Sequence, residues 1–168
     1  MTWAARPSLP AGHKVTADEF DAVLDQVESL STAAPTNTDA TSRTTTSTSY
    51  TTTLTPATIC GTAFTAPASG AVLLLWAVES SSSGANFALT SVAVREGSSV
   101  GSGTSFLASS DDRTVRNNFT SSLRMGTHHL VTGLTAGGSY NVAMEHRAEG
   151  ASTGTFSRRE VTVVPVSV

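Results

Sequence analysis

Asp111 and Asp112 stand side by side before Arg113 in the stretch SSDDR, and a carboxylate pair is the first thing to test for acid–base work or for a hard cation. Neighbouring side chains point apart, and Asp is an expected turn residue after Ser-Ser, so the pair reads as a turn. His128 and His129 offer imidazoles, but neighbours on a strand face opposite sides of a sheet and cannot ligate one ion together. His13 and His146 add no metal spacing; a zinc site would need a threefold axis to gather one His from each of three copies. Cys60 has no His or Lys close in sequence and no helix start after it, so it reads as a small buried hydrophobe rather than a nucleophile. The stretch GSSVGSGTS at 97–105 lacks the Lys and the following helix of a phosphate cradle, and reads as a mobile loop. Asn118-Phe119-Thr120 has the form of a glycosylation acceptor, relevant only to a secreted chain. No catalytic residue, metal ligand or cofactor is expected from these spacings.

The whole chain gives the same direction. Its 168 residues are 39% hydrophobic and 14% charged, enough for one domain with a core and a polarity carried by Ser and Thr. A net charge of −3 and a pI near 5.7 provide no basic stripe for phosphates, so nucleic acid is not an expected partner. Residues 1–40 carry two basic and six acidic groups, net −4, and 41–168 carry eight and seven, net +1. A single Cys excludes an internal disulfide framework. The longest apolar run, AVLLLWAV at 71–78, is too short to span a bilayer, and MTWAARPSLP lacks a signal-peptide core. Neither a membrane nor export is expected, and synthesis in a cytoplasm is.

The charge imbalance belongs to one element. Pro7, Pro10 and Gly12 keep residues 1–13 extended, leaving Trp3 and Leu9 in need of cover. A helix is predicted over 16–30: Thr16 caps it, Glu19 completes a capping box, Val15 and Phe20 form a hydrophobic staple, and Asp18, Glu19 and Asp21 sit at the positive end of its dipole. Phe20, Val23, Leu24, Val27 and Leu30 make one apolar stripe opposite Asp21, Asp25 and Glu28. A helix of about 15 residues is marginal alone in water, so the stripe needs its own β domain, sister copies or another protein.

Residues 32–48 read as a Thr/Ser-rich linker before a β domain over 49–168 with a first strand at 49–54; alternatively the repeated Thr from Ser42 and Tyr50 make that first strand, polar on both faces and so at a sheet edge or between subunits. Strands are predicted at 49–54, 60–65, 71–79, 88–96, 114–123, 127–133 and 139–147, with a last pair at 153–158 and 160–168. Turn signals fall at 67–70, 80–84, 97–103, 109–112, 136–138 and 148–150. Tyr140, Val142, Met144 and His146 alternate with Asn141, Ala143, Glu145 and Arg147, the pattern of a half-buried antiparallel strand. The predicted fold is mainly β: an antiparallel sandwich, jelly-roll-like, preceded by an extended arm and one helix.

Trp3, Pro7, Gly12, Val15, Thr16, Ala17 and the helix to Leu30 resemble the N-terminal signature of small virion proteins of actinobacterial tailed phages. Glu19-Phe20 departs from that pattern, where a Leu-Asn pair is commoner. The stretches ATICGTAFTAPASGAVLLLWAV at 57–78 and 133–166 resemble jelly-roll-like domains of phage fibre, tail and head-surface proteins. The resemblance implies a non-enzymatic homotrimer on the virion surface, a capsid decoration protein or short head fibre. Residues 1–31 would be its anchor on another virion protein of capsid or tail, through Trp3, Leu9, Val15, Phe20, Val23, Leu24, Val27 and Leu30. The alternative is a tail fibre or minor tail protein whose sandwich binds a host-surface glycan or receptor. Loops at 80–86 and 97–105 and the rings of Trp76 and Tyr140 are what such a site would draw on, although Trp76 sits in a strongly apolar strand that reads as core. A hydrolase of host polymer fits worst, because the acids outside the helix are scattered.

Overall fold

The computed structural model describes residues 34–166, so the arm, the helix and their stripe lie outside the described residues. The described residues form an antiparallel β-sandwich of ten strands. The front sheet holds β1 (Thr36–Asp39), β10 (Gly154–Pro165), β4 (Val72–Ser82) and β8 (Leu123–Val131) in that order, with β2 (Arg43–Thr45) also on β10. The back sheet holds β3 (Gly61–Thr65), β9 (Ser139–Ala148), β5 (Ala88–Glu96) and β6 (Ser105–Leu107), with β7 (Val115–Asn117) also on β5. The chain crosses between sheets from β2 to β3, β3 to β4, β4 to β5, β7 to β8, β8 to β9 and β9 to β10. Joining strands that are not neighbours in either sheet is jelly-roll order, and it buries one face of each sheet against the other.

Period-two patterning makes the core. On β4, Val72, Leu74, Trp76 and Val78 point inward, and on β9 Tyr140, Val142 and Met144 do. They meet Val92 and Val94 of β5 and Phe156, Val161 and Val163 of β10, all buried. Trp76 is 2% exposed, in agreement with its reading as core, and Cys60 is buried as expected. Pro67–Gly70 makes the expected turn: the Gly70 N–H donates to Pro67 O, and at φ 63° a Cβ on Gly70 would strike the Leu134 carbonyl.

Several boundaries differ from the sequence-based expectation, each for a visible reason. The segment 32–48, expected as a linker, contains β1 and β2, the latter where the alternative placed a polar edge strand from Ser42, because an edge on β10 supplies the ladder that Thr-rich sequence cannot specify alone. The sandwich therefore starts near residue 36 rather than 49. The strand expected at 49–54 is reduced to one bridge, Thr51 to His146. The strand expected at 114–123 is broken after Asn117, whose Oδ1 accepts from Phe119 N–H while its Nδ2 donates to the carbonyls of Ser80 and Ser121. The turn expected at 80–84 begins later, since β4 runs to Ser82. The final pair is one strand with a bulge between Ser157 and Glu160, where Arg158 takes φ 46°.

Strand β9 is buried on both faces rather than half-buried. Its outer face is covered by loops, and Asn141 shows how. Its Nδ2 donates to Gly97 O at 2.9 Å and Ser102 O at 3.0 Å, and its Oδ1 accepts from Gly101 N–H at 2.9 Å. The 97–105 stretch, expected to be mobile, is thereby pinned to the sheet. Asn141→Leu is expected to lower stability by about 1–3 kcal/mol, the cost of orphaned buried backbone groups. Limited proteolysis would then cut first within 97–105, and unchanged cleavage would show that the loop is held elsewhere.

Candidate functional site

The eight residues expected to anchor the protein, Trp3, Leu9, Val15, Phe20, Val23, Leu24, Val27 and Leu30, lie outside the described residues. The sandwich itself carries three features with chemistry: a charged cluster in its interior, an ion pair on its rim and a groove on its front sheet.

The interior cluster is built on the bulge of β10. Phe156 and Val161 both face inward although five residues apart, which is possible only because the bulge changes the parity of the strand. That change also turns Arg159 inward, with its side chain fully buried. Asp39, at the end of β1, pairs with Arg159 and also with Arg43 of β2, whose Nε lies 2.6 Å from its Oδ2. Arg43 donates further to Pro56 O, and Arg159 to Thr58 O, so one carboxylate and two guanidinium groups tie β1, β2, β10 and the 55–60 loop together. Burial pushes the Asp39 carboxyl up, but hydrogen bonds from Arg43, the Thr41 N–H and Arg159, with the Arg159 charge, outweigh it and hold the group far below the usual carboxylate range.

His146 adjoins the cluster, wholly buried, with its ring centroid 4.5 Å from that of Phe156. Its Nε2 is 3.4 Å from Arg159 Nη1 and its Nδ1 is 2.9 Å from Thr90 Oγ1. A guanidinium can only donate, so Nε2 accepts and the proton sits on Nδ1, donated to Thr90. Burial first, and the Arg159 charge second, push His146 well below its ordinary value and keep it neutral. Burial raises the Cys60 thiol to about 11, the reverse of what a nucleophile needs. The cluster thus reads as fold-determining.

Asp111 and Asp112 lie in the expected turn, a 3-10 turn over Asp111–Arg113 with Ser110 as its cap. Asp111 does more than turn the chain: it pairs with Arg147 at 2.6 Å and accepts from Tyr50 Oη at 2.8 Å, contacts that lower its carboxyl pKa. Arg147 in turn lies over the Tyr50 ring. His128 and His129 fall on opposite faces of β8, as the strand geometry required, with Leu75 opposite His128 and Leu74 opposite His129. His129 is half-buried, and burial, then Arg113 and His128, lower its pKa. Among the described residues, no three His, Cys, Asp or Glu side chains gather as a cation would need, and no helix is long and apolar enough to cross a membrane. The two rings named for a glycan platform, Trp76 and Tyr140, are buried; Tyr140 is packed between Phe64 and Phe106.

The third feature was not legible in advance. The solvent face of the front sheet carries Leu73, Leu75 and Leu130, with Leu75 39% and Leu130 46% exposed. Beside them Ala77 and Gly126 leave a depression of about 390 Å³, bordered by His128, Glu160 and Thr162. Antiparallel sheets commonly keep a polar solvent face, so this apolar one is a candidate for contact with another surface. The sequence hint was the unbroken LLLW of 73–76, which alternation would have made half polar.

The fold and these sites define a β-sandwich of jelly-roll order with an apolar groove on one sheet. No protein-family model and no curated protein matches the chain. Among solved structures it is similar to the N-terminal CBM22-1–CBM22-2 tandem domain of Xyn10C from Paenibacillus barcinonensis, with 10% identity and a TM-score of 0.35. That similarity covers 79% of this chain and 42% of the other, so the chain spans less than half of the tandem structure.

Proposed function

We propose that this protein is a non-enzymatic structural component on the outside of a tailed-phage virion, a trimeric capsid decoration protein or short head fibre held by its N-terminal arm and helix. The observation that carries the reading is the junction at residue 34. A segment with the Trp3, Pro7, Gly12, Val15, Thr16, Ala17 pattern of small virion proteins runs directly into the edge strand of a jelly-roll sandwich, with β1 already paired at Thr36. In such a protein the sandwich faces solvent and residues 1–31 grip the particle. Trimers also dispose of sheet edges by packing them between subunits, which suits the short polar strands β1 and β2.

Immunoelectron microscopy of intact particles with an antibody against the sandwich tests this. Label on heads is expected, and it should vanish from particles made with a chain lacking residues 1–31. Label on tails would favour the tail-fibre alternative, and absence of label from intact particles would overturn the virion reading.

A further inference from the structure

The solvent face of the front sheet is laid out in rows across the strands: Val164, Leu73 and Leu130, then Thr162, Leu75 and His128, then Glu160, Ala77 and Gly126, and last Ser157, Glu79 and Arg124. Bulk is graded along these rows. The first carries branched apolar side chains on all its strands, the second is centred on Leu75, and the third has Ala77 and Gly126 as the floor of the depression. The charges on this face are matched within it: Arg124 bonds Glu160 at 2.9 Å, and Arg158 bonds Glu79 at 3.1 Å.

Two such faces complement one another. Stacked sheets pack about 10 Å apart, and at that spacing a large side chain fits opposite a small one. A two-fold axis lying between two copies, perpendicular to the strands at the Leu75 row, sets the first row of each on the third row of the other. Leu73 then meets Ala77 and Leu130 meets Gly126, twice over, so the leucines of each copy fill the depression of its partner. Leu75 packs on its own counterpart at the axis, and each neutral His128, with one ring donor and one acceptor, can bond the other. Because the four charged groups pair within the face, two identical faces meet without net repulsion, and nothing on the face selects a partner of one charge.

The area agrees. The span symmetric about Leu75 runs from Ala71 to Glu79, nine residues of about 3.3 Å each. With four strands about 4.8 Å apart the shared face measures about 19 by 30 Å, so two copies together cover about 1,100 Å². That clears the 1,000 Å² or so, roughly, that a specific interface needs.

We propose that two copies of this chain pack front sheet to front sheet about a two-fold axis at Leu75, with Leu73 and Leu130 of each seated in the Ala77 and Gly126 depression of the other. The proposal goes beyond the virion reading and does not rest on it. It uses neither residues 1–31 nor the free edges of β1 and β2, so the anchor and the threefold packing proposed above stay available. Within that reading, the contact joins sandwiches of neighbouring trimers.

Light scattering on the purified full chain tests it. The parent protein is expected to hold an even number of copies, two alone or six with the threefold contact. Leu75→Asp should halve that number while β5 and β9 keep their amide protection. Ala77→Leu fills the floor of the depression and should raise the dissociation constant of this contact about tenfold or more. Adding Leu73→Ala returns the space on the facing copy, so the double variant should come back to within about threefold of the parent. A monomer or a trimer in the parent, an unchanged mass for Leu75→Asp, or a double variant no tighter than Ala77→Leu overturns the proposal. A dimer with no threefold species supports this contact and counts against the trimer of the virion reading.

Discussion

Asp39→Ala is expected to lower the unfolding free energy by about 3–5 kcal/mol, since it strips the shared carboxylate from two buried guanidinium groups. Arg159 is fully buried and Arg43 nearly so, and without Asp39 they would face carbonyls and a neutral His146 as uncompensated cations. Water cannot easily replace the carboxylate at Arg159, which lies deeper than either partner. Urea unfolding followed by fluorescence of Trp76, which is in the core, measures the loss. Adding Arg159→Met to Asp39→Ala should recover part of it, because the methionine keeps the volume and removes the deeper stranded charge. A loss under about 1 kcal/mol for Asp39→Ala would show that the trio is dispensable to the fold.

Acid should destabilise the domain in two stages. The unfolded His146 titrates near 6.5, while the folded ring is held well below that by burial and by Arg159. The unfolded state therefore binds the proton first, so the stabilisation is complete above pH 6.5 and declines as pH falls below it. The slope for one such group is at most about 1.4 kcal/mol per pH unit. The depressed His129 acts with the same sign. Below the ordinary Asp value of 3.8, the depressed Asp39 adds a second loss in the same direction, as its ion pairs are surrendered on protonation. Unfolding midpoints between pH 7 and 3 measure both stages. His146→Gln should remove most of the first stage and leave the second; a midpoint flat from pH 7 to 5 in the parent protein would contradict a buried neutral His146.

The first effect arises from Asp39, Arg43 and Arg159, which local patterning did not single out, and the second mainly from His146, which it placed with Tyr140, Val142 and Met144 on one side of a strand. Strands β3, β4, β5 and β9 were legible because their apolar residues alternate or run together between turn signals such as Pro67–Gly70, and a core must collect them. The same reasoning placed Trp76 and Cys60 inside and set His128 and His129 on opposite faces. It failed at β1 and left β2 open between linker and polar edge strand, because Thr36–Asp39 and Arg43–Thr45 have no apolar period. Their order comes from an edge that β10 provides more than a hundred residues later, and from Asp39 meeting Arg159. Even the bulge that aims Arg159 inward had a faint local trace, the odd spacing between Phe156 and Val161.

The amino-acid order by itself determined the class of fold, the burial of Trp76 and Cys60 and the apolar side of β9, because hydrophobic period and turn chemistry act over a few residues. Tertiary structure alone decided which charges are buried together and which sheet face stays apolar in water. Those properties depend on contacts between segments far apart in the chain, and on parity changes at one bulge. Local propensity contains neither, so the Asp39, Arg43 and Arg159 trio and the groove beside Leu75 became visible only when the two sheets closed on one another.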